Sequence, residues 1–265
     1  MTYFKLERFS GIAPGVSPRL LAEQFGQISE NIDFESGAIK PISTDAASIY
    51  TLQSVTKNSI YYYRNTNWLE WTEDYIHAVE GPIPGDTLDR LYWTGETYPK
   101  MGTAANIVSG TSGYPANSFR LGVPAPTGTP TTQKNGTADS TQAPYDVSYV
   151  YTLVTANGEE GPPSLASTPI ELTDSETVDV ATPTPSNASG NYNFGTGALK
   201  RLYRSNTGSN STQFQFVKEA PFTETTITDD KDGDELGEIL PSTYWIGPPD
   251  DNTSLYPDGP LQGLT

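Results

Sequence analysis

The chain has 265 residues, no cysteine and a formal net charge of −17, so it can bury a sizeable core but has no disulfide, thiolate metal site or cysteine nucleophile. An acidic balance of this size argues against specific nucleic-acid binding, because that binding draws on Lys and Arg to neutralise phosphates. No apolar run is long enough to span a bilayer and the start lacks a signal peptide, so we expect synthesis in a cytoplasm and no membrane contact.

The composition favours an all-β fold. Gly (24), Pro (22) and Tyr (16) are plentiful, while only 18% of the residues are charged. This profile is typical of short strands joined by turns. Aromatic residues make up 11% of the chain and recur inside strand-like runs, which argues against wholesale disorder.

Residues 1–41 are predicted to form an arm, one small helix and a hairpin. Ser17 before Pro18 matches a helix start, and Leu21, Phe25 and Ile28 then share one narrow apolar stripe. A helix of about 12 residues is marginal alone, so this one must dock. The following stretch NIDFESGAIKP alternates apolar and polar residues around a Ser-Gly turn, which predicts the hairpin. The residues alone leave open whether the segment packs on its own chain or on a neighbour.

Residues 42–122 are predicted to form an aromatic-rich β region. Short strand-like runs such as SIYYYRN, NWLEWTEDYIHAV and RLYWTGE are separated by turn residues. Trp68 and Trp71 are candidates for a platform on which a sugar stacks, although aromatic residues in strands more often belong to a core or an interface.

The second half of the chain is predicted to contain an antiparallel sandwich. Residues 123–144 are rich in Pro, Thr and Gly and should form an extended linker or a long connection between strands. Residues 145–240 contain five or six short strands without a helical pattern between them, which predicts the sandwich. Its clearest hairpin begins at Tyr149 and turns at ANGEEG. Residues 241–265 contain too many prolines for a central strand and should form an irregular arm.

No motif in the sequence carries catalytic or cofactor chemistry. His77 is the only histidine and lies in an alternating strand, so we expect a structural role. Residues 228–239 have part of the spacing of a calcium loop, but Thr228 and Ile239 stand where that loop requires carboxylates, and a solvated turn is expected instead. Adjacent acids such as Glu159 and Glu160 lack the separated geometry that glycoside hydrolysis needs. We therefore expect no enzyme, metal or cofactor.

The opening stretch, with FSGIAP, VSPRLLA and NIDFESGAIKP, resembles the start of the tail nozzle or tail tubular proteins of short-tailed bacteriophages. The runs RLYWTGETYPKM, FRLGVPAP, YVYTLVTANGEEGPPS, LKRLYRSN and PSTYWIGPPDD follow in the order of that family. Its members continue into a propeller-like region that these 265 residues do not include, so the resemblance is to a short form. YVYTLVTANGEEGPPS is also similar to the last hairpin of fibronectin type III domains, which implies an immunoglobulin-like or fibronectin-like sandwich with a rearranged strand order.

The resemblance implies a structural virion protein that forms part of the genome-delivery channel. Its first partners would be copies of itself in a ring, which the resemblance implies to be sixfold. Its other partners would be tail or neck proteins such as an adaptor or fibres. A head-to-tail ring would supply the contacts that the first forty residues lack. The residues expected at this subunit contact are apolar: Ile12, Pro14, Leu20, Leu21, Phe25, Ile28, Ile32 and Phe34.

Other roles stay open from the sequence. A short form could be a ring or adaptor of the neck, or a decoration of the tail. The main alternative is a tail or surface adhesin that binds a host glycan or receptor through Trp68 and Trp71. A third is an enzyme that degrades host polysaccharide.

Overall fold

The computed structural model describes residues 9–33, 40–42, 47–48, 50–53, 56–110, 113–184, 191–207 and 212–246. The chain divides into two compact units, Met1–Thr51 and Leu52–Thr265. The described residues contain sixteen β-strands and one short helix, so the predicted all-β fold is confirmed. No helix among them is both long and apolar enough to cross a membrane.

The first unit contains the predicted hairpin but not the predicted helix. Strands β1 (Ile32–Asp33) and β2 (Lys40–Pro41) pair antiparallel, which confirms the hairpin, although its turn lies outside the described residues. Residues 17–28 form turns instead of a helix. The helix prediction was wrong because packing on the predicted stripe is incomplete: Ile28 is 80% exposed and Leu21 and Phe25 are only half-buried, which does not support a helix that is marginal by itself.

The second unit begins with two small antiparallel sheets. Strands β3 (Ser59–Tyr63) and β4 (Asn67–Trp71) form one sheet. The other contains β5 (His77–Glu80), β6 (Leu91–Thr94), β7 (Lys100–Gly102) and β8 (Phe119–Arg120), in that order. Helix α1 (Ala104–Ile107) follows β7. The shared core consists of Tyr63, Leu69, Trp71, Leu91, Trp93 and Ile107.

Eight further strands build the antiparallel sandwich. They are β9 (Thr131–Asn135), β10 (Tyr145–Val147), β11 (Tyr149–Val154), β12 (Ile170–Leu172), β13 (Thr177–Ala181), β14 (Leu199–Thr207), β15 (Thr212–Pro221) and β16 (Thr226–Asp229). One sheet has the order β9-β13-β16 and the other β11-β14-β15, while β10 pairs with β12. Side chains from both sheets form one core, including Tyr149, Tyr151, Val178, Val180 and Leu202. The predicted sandwich architecture is therefore confirmed.

Backbone hydrogen bonds extend the β11-β14-β15 sheet on both sides. Beside β11, the amides of Gly161, Ser164 and Ser167 donate to carbonyls of that strand at 2.8–3.0 Å, which completes the predicted hairpin. Beside β15, residues 237–240 pair with it through the Phe216 amide and the Glu238 carbonyl, at 2.9 Å. The hairpin at β11 thus precedes the β14–β15 hairpin along the chain.

One strand of the sandwich lies inside the predicted linker. Strand β9 pairs along its full length with β13, from Thr131 opposite Ala181 to Asn135 opposite Thr177. The sandwich therefore begins at about Thr131 and not at Tyr145. Of the predicted irregular arm, residues 241–246 are described and form turns, and the rest lies outside the described residues.

Candidate interaction surfaces

The apolar residues predicted at a subunit contact divide into two groups. Ile12, Pro14, Leu20 and Ile28 are exposed, and Leu21, Phe25 and Ile32 are half-buried. Phe34 lies outside the described residues. The amides of Ser10 and Ala13 donate at 2.8 Å to the carbonyls of Gln24 and Gly26, so residues 10–13 run alongside residues 24–26. Val16 and Ile42 are also exposed, so five large apolar side chains of this unit, Ile12, Val16, Leu20, Ile28 and Ile42, are uncovered among the described residues.

The two tryptophans predicted to form a stacking platform lie on opposite faces of β4. Trp71 is only 3% exposed and packs on Trp93, with ring centroids 6.1 Å apart. Trp68 lies on the other face, where its ring centroid is 4.5 Å from that of Tyr62. The paired platform is therefore wrong. Residues three apart in a strand point to opposite faces, and this periodicity was the signal that the sequence interpretation missed.

An aromatic face remains on the side of Trp68. It consists of Ile60, Tyr62 and Trp68, and the first two side chains are 56% and 43% exposed. The Tyr62 hydroxyl donates to the Asn65 carbonyl at 2.8 Å, which fixes the ring against Trp68. This face is a small, rigid surface that combines apolar area with a polar edge.

A groove of about 560 Å³ lies on the face of the β11-β14-β15 sheet that points away from the sandwich core. We call it the sheet groove, and its main lining residues are Glu160, Arg201, Tyr203, Phe216, Ile239 and Pro241. A small apolar cluster of Val150, Tyr203 and Leu240, with Phe214 and Phe216 against it, supports this face. The one sequence signal for this groove is Glu160, an acidic residue at the end of the hairpin turn.

Glu160 organises the polar side of the sheet groove. Its Oε1 accepts hydrogen bonds from the Thr152 and Tyr203 hydroxyls, both at 2.6 Å, and its Oε2 accepts one from Arg201 Nη1 at 2.8 Å. Burial and the hydrogen bond to Glu160 raise the pKa of Tyr203. The Tyr203 hydroxyl therefore stays a hydrogen-bond donor, and both oxygens of Glu160 are occupied by donors. This arrangement suits a fixed recognition surface better than it suits a catalytic base.

The acidic stretch that begins at the last residue of β16 has a structural role. The Asp229 carboxylate accepts hydrogen bonds from Arg204 Nη1 and from the Tyr149 hydroxyl, each at 2.8 Å, and all three residues are buried. Arg204 also donates to the Lys231 carbonyl at 2.8 Å. In the part of the chain that the structure describes, no three His, Cys, Asp or Glu side chains are grouped to hold a metal ion. His77 is exposed on β5.

Lys200 is buried in the sandwich, where its ammonium group binds backbone carbonyls. Its Nζ donates to the carbonyls of Thr182 at 2.6 Å and Glu224 at 2.7 Å. It also lies 5.8 Å from the centroid of the Phe222 ring. Burial lowers the pKa of Lys200 to about 8 because the charged form loses its hydration.

The stability of the second unit is expected to rise with pH from about 8 towards 10. In this window the unfolded chain holds a proton on Lys200 that the folded chain has released, so raising the pH favours folding. Above about pH 10 the sign reverses, because burial raises the pKa of Tyr151 to about 12 and that of Tyr149 further, and the folded state keeps protons that the unfolded state loses. Denaturant unfolding across a pH series measures the curve. Lys200→Met should abolish the rise and keep the fall, and a rise that persists in Lys200→Met would contradict this assignment.

No protein-family model matches the chain and no curated protein is significantly similar to it.

Proposed function

We propose that the protein is a structural subunit of a tailed bacteriophage, a ring-forming part of the tail nozzle or neck that helps to form the genome-delivery channel. The observation that carries the proposal is the uncovered apolar set in the first unit. The resemblance of the chain's opening stretch and later runs to tail nozzle proteins supplies the biological setting.

The apolar set favours a protein partner over solvent. Its exposed members are Ile12, Val16, Leu20, Ile28 and Ile42. They project from turns and one two-stranded ribbon, which is too small an element to be stable alone. Several large apolar side chains left exposed within one small unit favour an interaction site. A neighbouring subunit in a closed ring would cover these side chains and hold the segment in place.

The charge of the chain suits a conduit. A net charge of −17 gives the assembled protein a strongly negative field. Carboxylates facing a channel would repel DNA phosphates, so the polymer would slide and not adhere. The partners in this proposal are copies of the chain and the tail or neck proteins above and below it, such as an adaptor or fibres. The protein would reside in the virion and act without catalysis.

Replacing Leu20 and Ile28 together by Ser is expected to weaken self-association by at least tenfold. Each side chain would contribute apolar burial only in the assembly, since both are 80% exposed in the chain. The fold should survive, because substitutions at exposed sites change the free energy of unfolding by about 0.5 kcal/mol or less. Sedimentation velocity and negative-stain images of the purified protein measure the ring population.

The matched control is the double substitution Tyr75→Ser and Leu165→Ser, which removes two similarly exposed apolar side chains from the second unit. It should assemble like the unmodified chain. Equal assembly of the Leu20 and Ile28 double variant, or a chain that stays monomeric at high concentration, would argue against the proposal.

A tail adhesin is the second candidate, and the aromatic face favours it. Tyr62 and Trp68 present a fixed, partly exposed pair of rings of the kind on which sugars stack. Binding to a host glycan that depends on Trp68, with self-association unchanged, would select this function.

A further inference from the structure

Three consecutive large apolar side chains project from the end of the sandwich. We call Tyr244, Trp245 and Ile246 the exposed arm, and they are 93%, 53% and 93% exposed. A run of this kind on a folded domain usually marks a site for a partner.

The base of the exposed arm is held in place. Leu240 is buried against the outer face of the sheet, and Ser242 is fully buried. The Thr243 hydroxyl donates to the Leu240 carbonyl at 3.2 Å, and the Trp245 amide donates to the Ser242 carbonyl at 3.0 Å. The arm is thus presented by a short anchored turn, which reduces the ordering cost of binding.

The sheet groove begins where the exposed arm is anchored. Ile239 and Pro241, which precede the arm, form one side of the groove, and Ile239 is 51% exposed. The rings of Tyr203 and Phe216 supply apolar lining. A volume of about 560 Å³ falls in the range of sites that enclose several side chains or a small ligand.

We propose that the exposed arm of one copy docks in the sheet groove of a neighbouring copy. This inference rests on the proposed function, because the neighbouring copy belongs to the proposed ring. Arm and groove are two different surfaces of the same chain, so the contact is head-to-tail, which is the type of interface that generates rings. Within one chain the anchored turn leaves all three arm side chains exposed, so its own groove is not filled by them.

The chemistry of the two surfaces matches. Trp and Tyr are the residues that most often dominate an interface when they enter a pocket. The indole of Trp245 needs an acceptor when it is buried, and the groove is lined by the exposed carboxylates of Glu219 and Glu238. Ile246 and Tyr244 would pack on the apolar lining of the groove. The ion pair between Glu160 and Arg201 would remain intact below them.

Engineered cysteines test the contact directly, because the chain has no cysteine of its own. Ile239→Cys in the full chain carries one tag, and Ile246→Cys in the full chain carries another of different size. The two variants are mixed, allowed to assemble and oxidised gently. We expect a disulfide-linked product that contains both tags. Leu165→Cys, an exposed site beside the opposite edge of the same sheet, replaces Ile239→Cys as the matched control and should give at most a trace of that product.

A second measurement separates this inference from the proposed function. Trp245→Ser should weaken self-association about 30-fold or more, as expected for a buried tryptophan at an interface. If the unmodified chain forms rings but no mixed-tag product appears, or if the mixed-tag product is no greater than with Leu165→Cys, the arm contact is wrong while the ring role stands. If a chain with both cysteines forms only an internal disulfide, the arm folds on its own groove and the inference is also overturned. Mixed-tag product from a protein that is absent from virions would uphold the contact and remove the proposed function.

Discussion

Asp229→Ala is expected to destabilise the sandwich by about 3–5 kcal/mol, because it leaves the Arg204 guanidinium buried without its counter-charge. The Asp229 carboxylate also accepts the hydrogen bond of the buried Tyr149 hydroxyl, which would lose its partner in the same change. Guanidinium unfolding followed by circular dichroism measures the loss as a lower midpoint with an unchanged slope.

Two controls separate a broken ion pair from a general effect of losing an acid. Asp179→Ala removes a half-buried carboxylate that accepts hydrogen bonds from Thr228 and Asn135, and it should cost about 1 kcal/mol or less. The double change Asp229→Leu with Arg204→Met should recover much of the lost stability, since apolar residues of similar volume often replace a buried pair without loss. If Asp229→Ala lowers the free energy of unfolding no more than Asp179→Ala does, the ion pair between Asp229 and Arg204 is not desolvated and the assignment is wrong.

Trp71→Ala is expected to cost about 3–5 kcal/mol, whereas Trp68→Ala should cost about 1 kcal/mol or less. The contrast follows from their positions, because Trp71 is almost fully buried against Trp93 and Trp68 is half-buried on the outer side of the same strand. Thermal and denaturant unfolding of the two variants measures the difference.

The same pair of variants decides the adhesin alternative. If glycan binding exists, Trp68→Ala should abolish it in a folded protein, while Tyr75→Ala, which removes an exposed ring elsewhere, should leave it intact. Glycan-array signals that survive Trp68→Ala would exclude the aromatic face as the binding site. Similar stability losses for Trp68→Ala and Trp71→Ala would contradict the assignment of opposite faces.

Several elements could be predicted because their residues carry strong local patterns. The strand β11 alternates Tyr149, Tyr151 and Leu153 with Val150 and Thr152, and the structure places the first three in the sandwich core. The turn after it contains Gly158, whose φ of 82° favours glycine. The hairpin of β1 and β2 was predictable for the same reason, since alternation and a Ser-Gly turn both point to it.

Other elements carry no such pattern. Strand β9 is an edge strand with mostly exposed side chains, so its sequence TTQKN reads as linker and only pairing with β13 makes it a strand. The stripe of Leu21, Phe25 and Ile28 has helical spacing, but spacing alone cannot supply the packing that a short helix needs. The sheet groove arises where Glu160, Arg201 and Phe216 meet across three separate segments, and sequence distance hides such a meeting.

The most direct test of the central claim is a cryo-EM map of the purified chain at assembling concentration. The account predicts a closed ring in which residues 9–33 contact a neighbouring copy, with Leu20 and Ile28 covered by it. A map that shows single copies, with those side chains packed on their own chain, would contradict it.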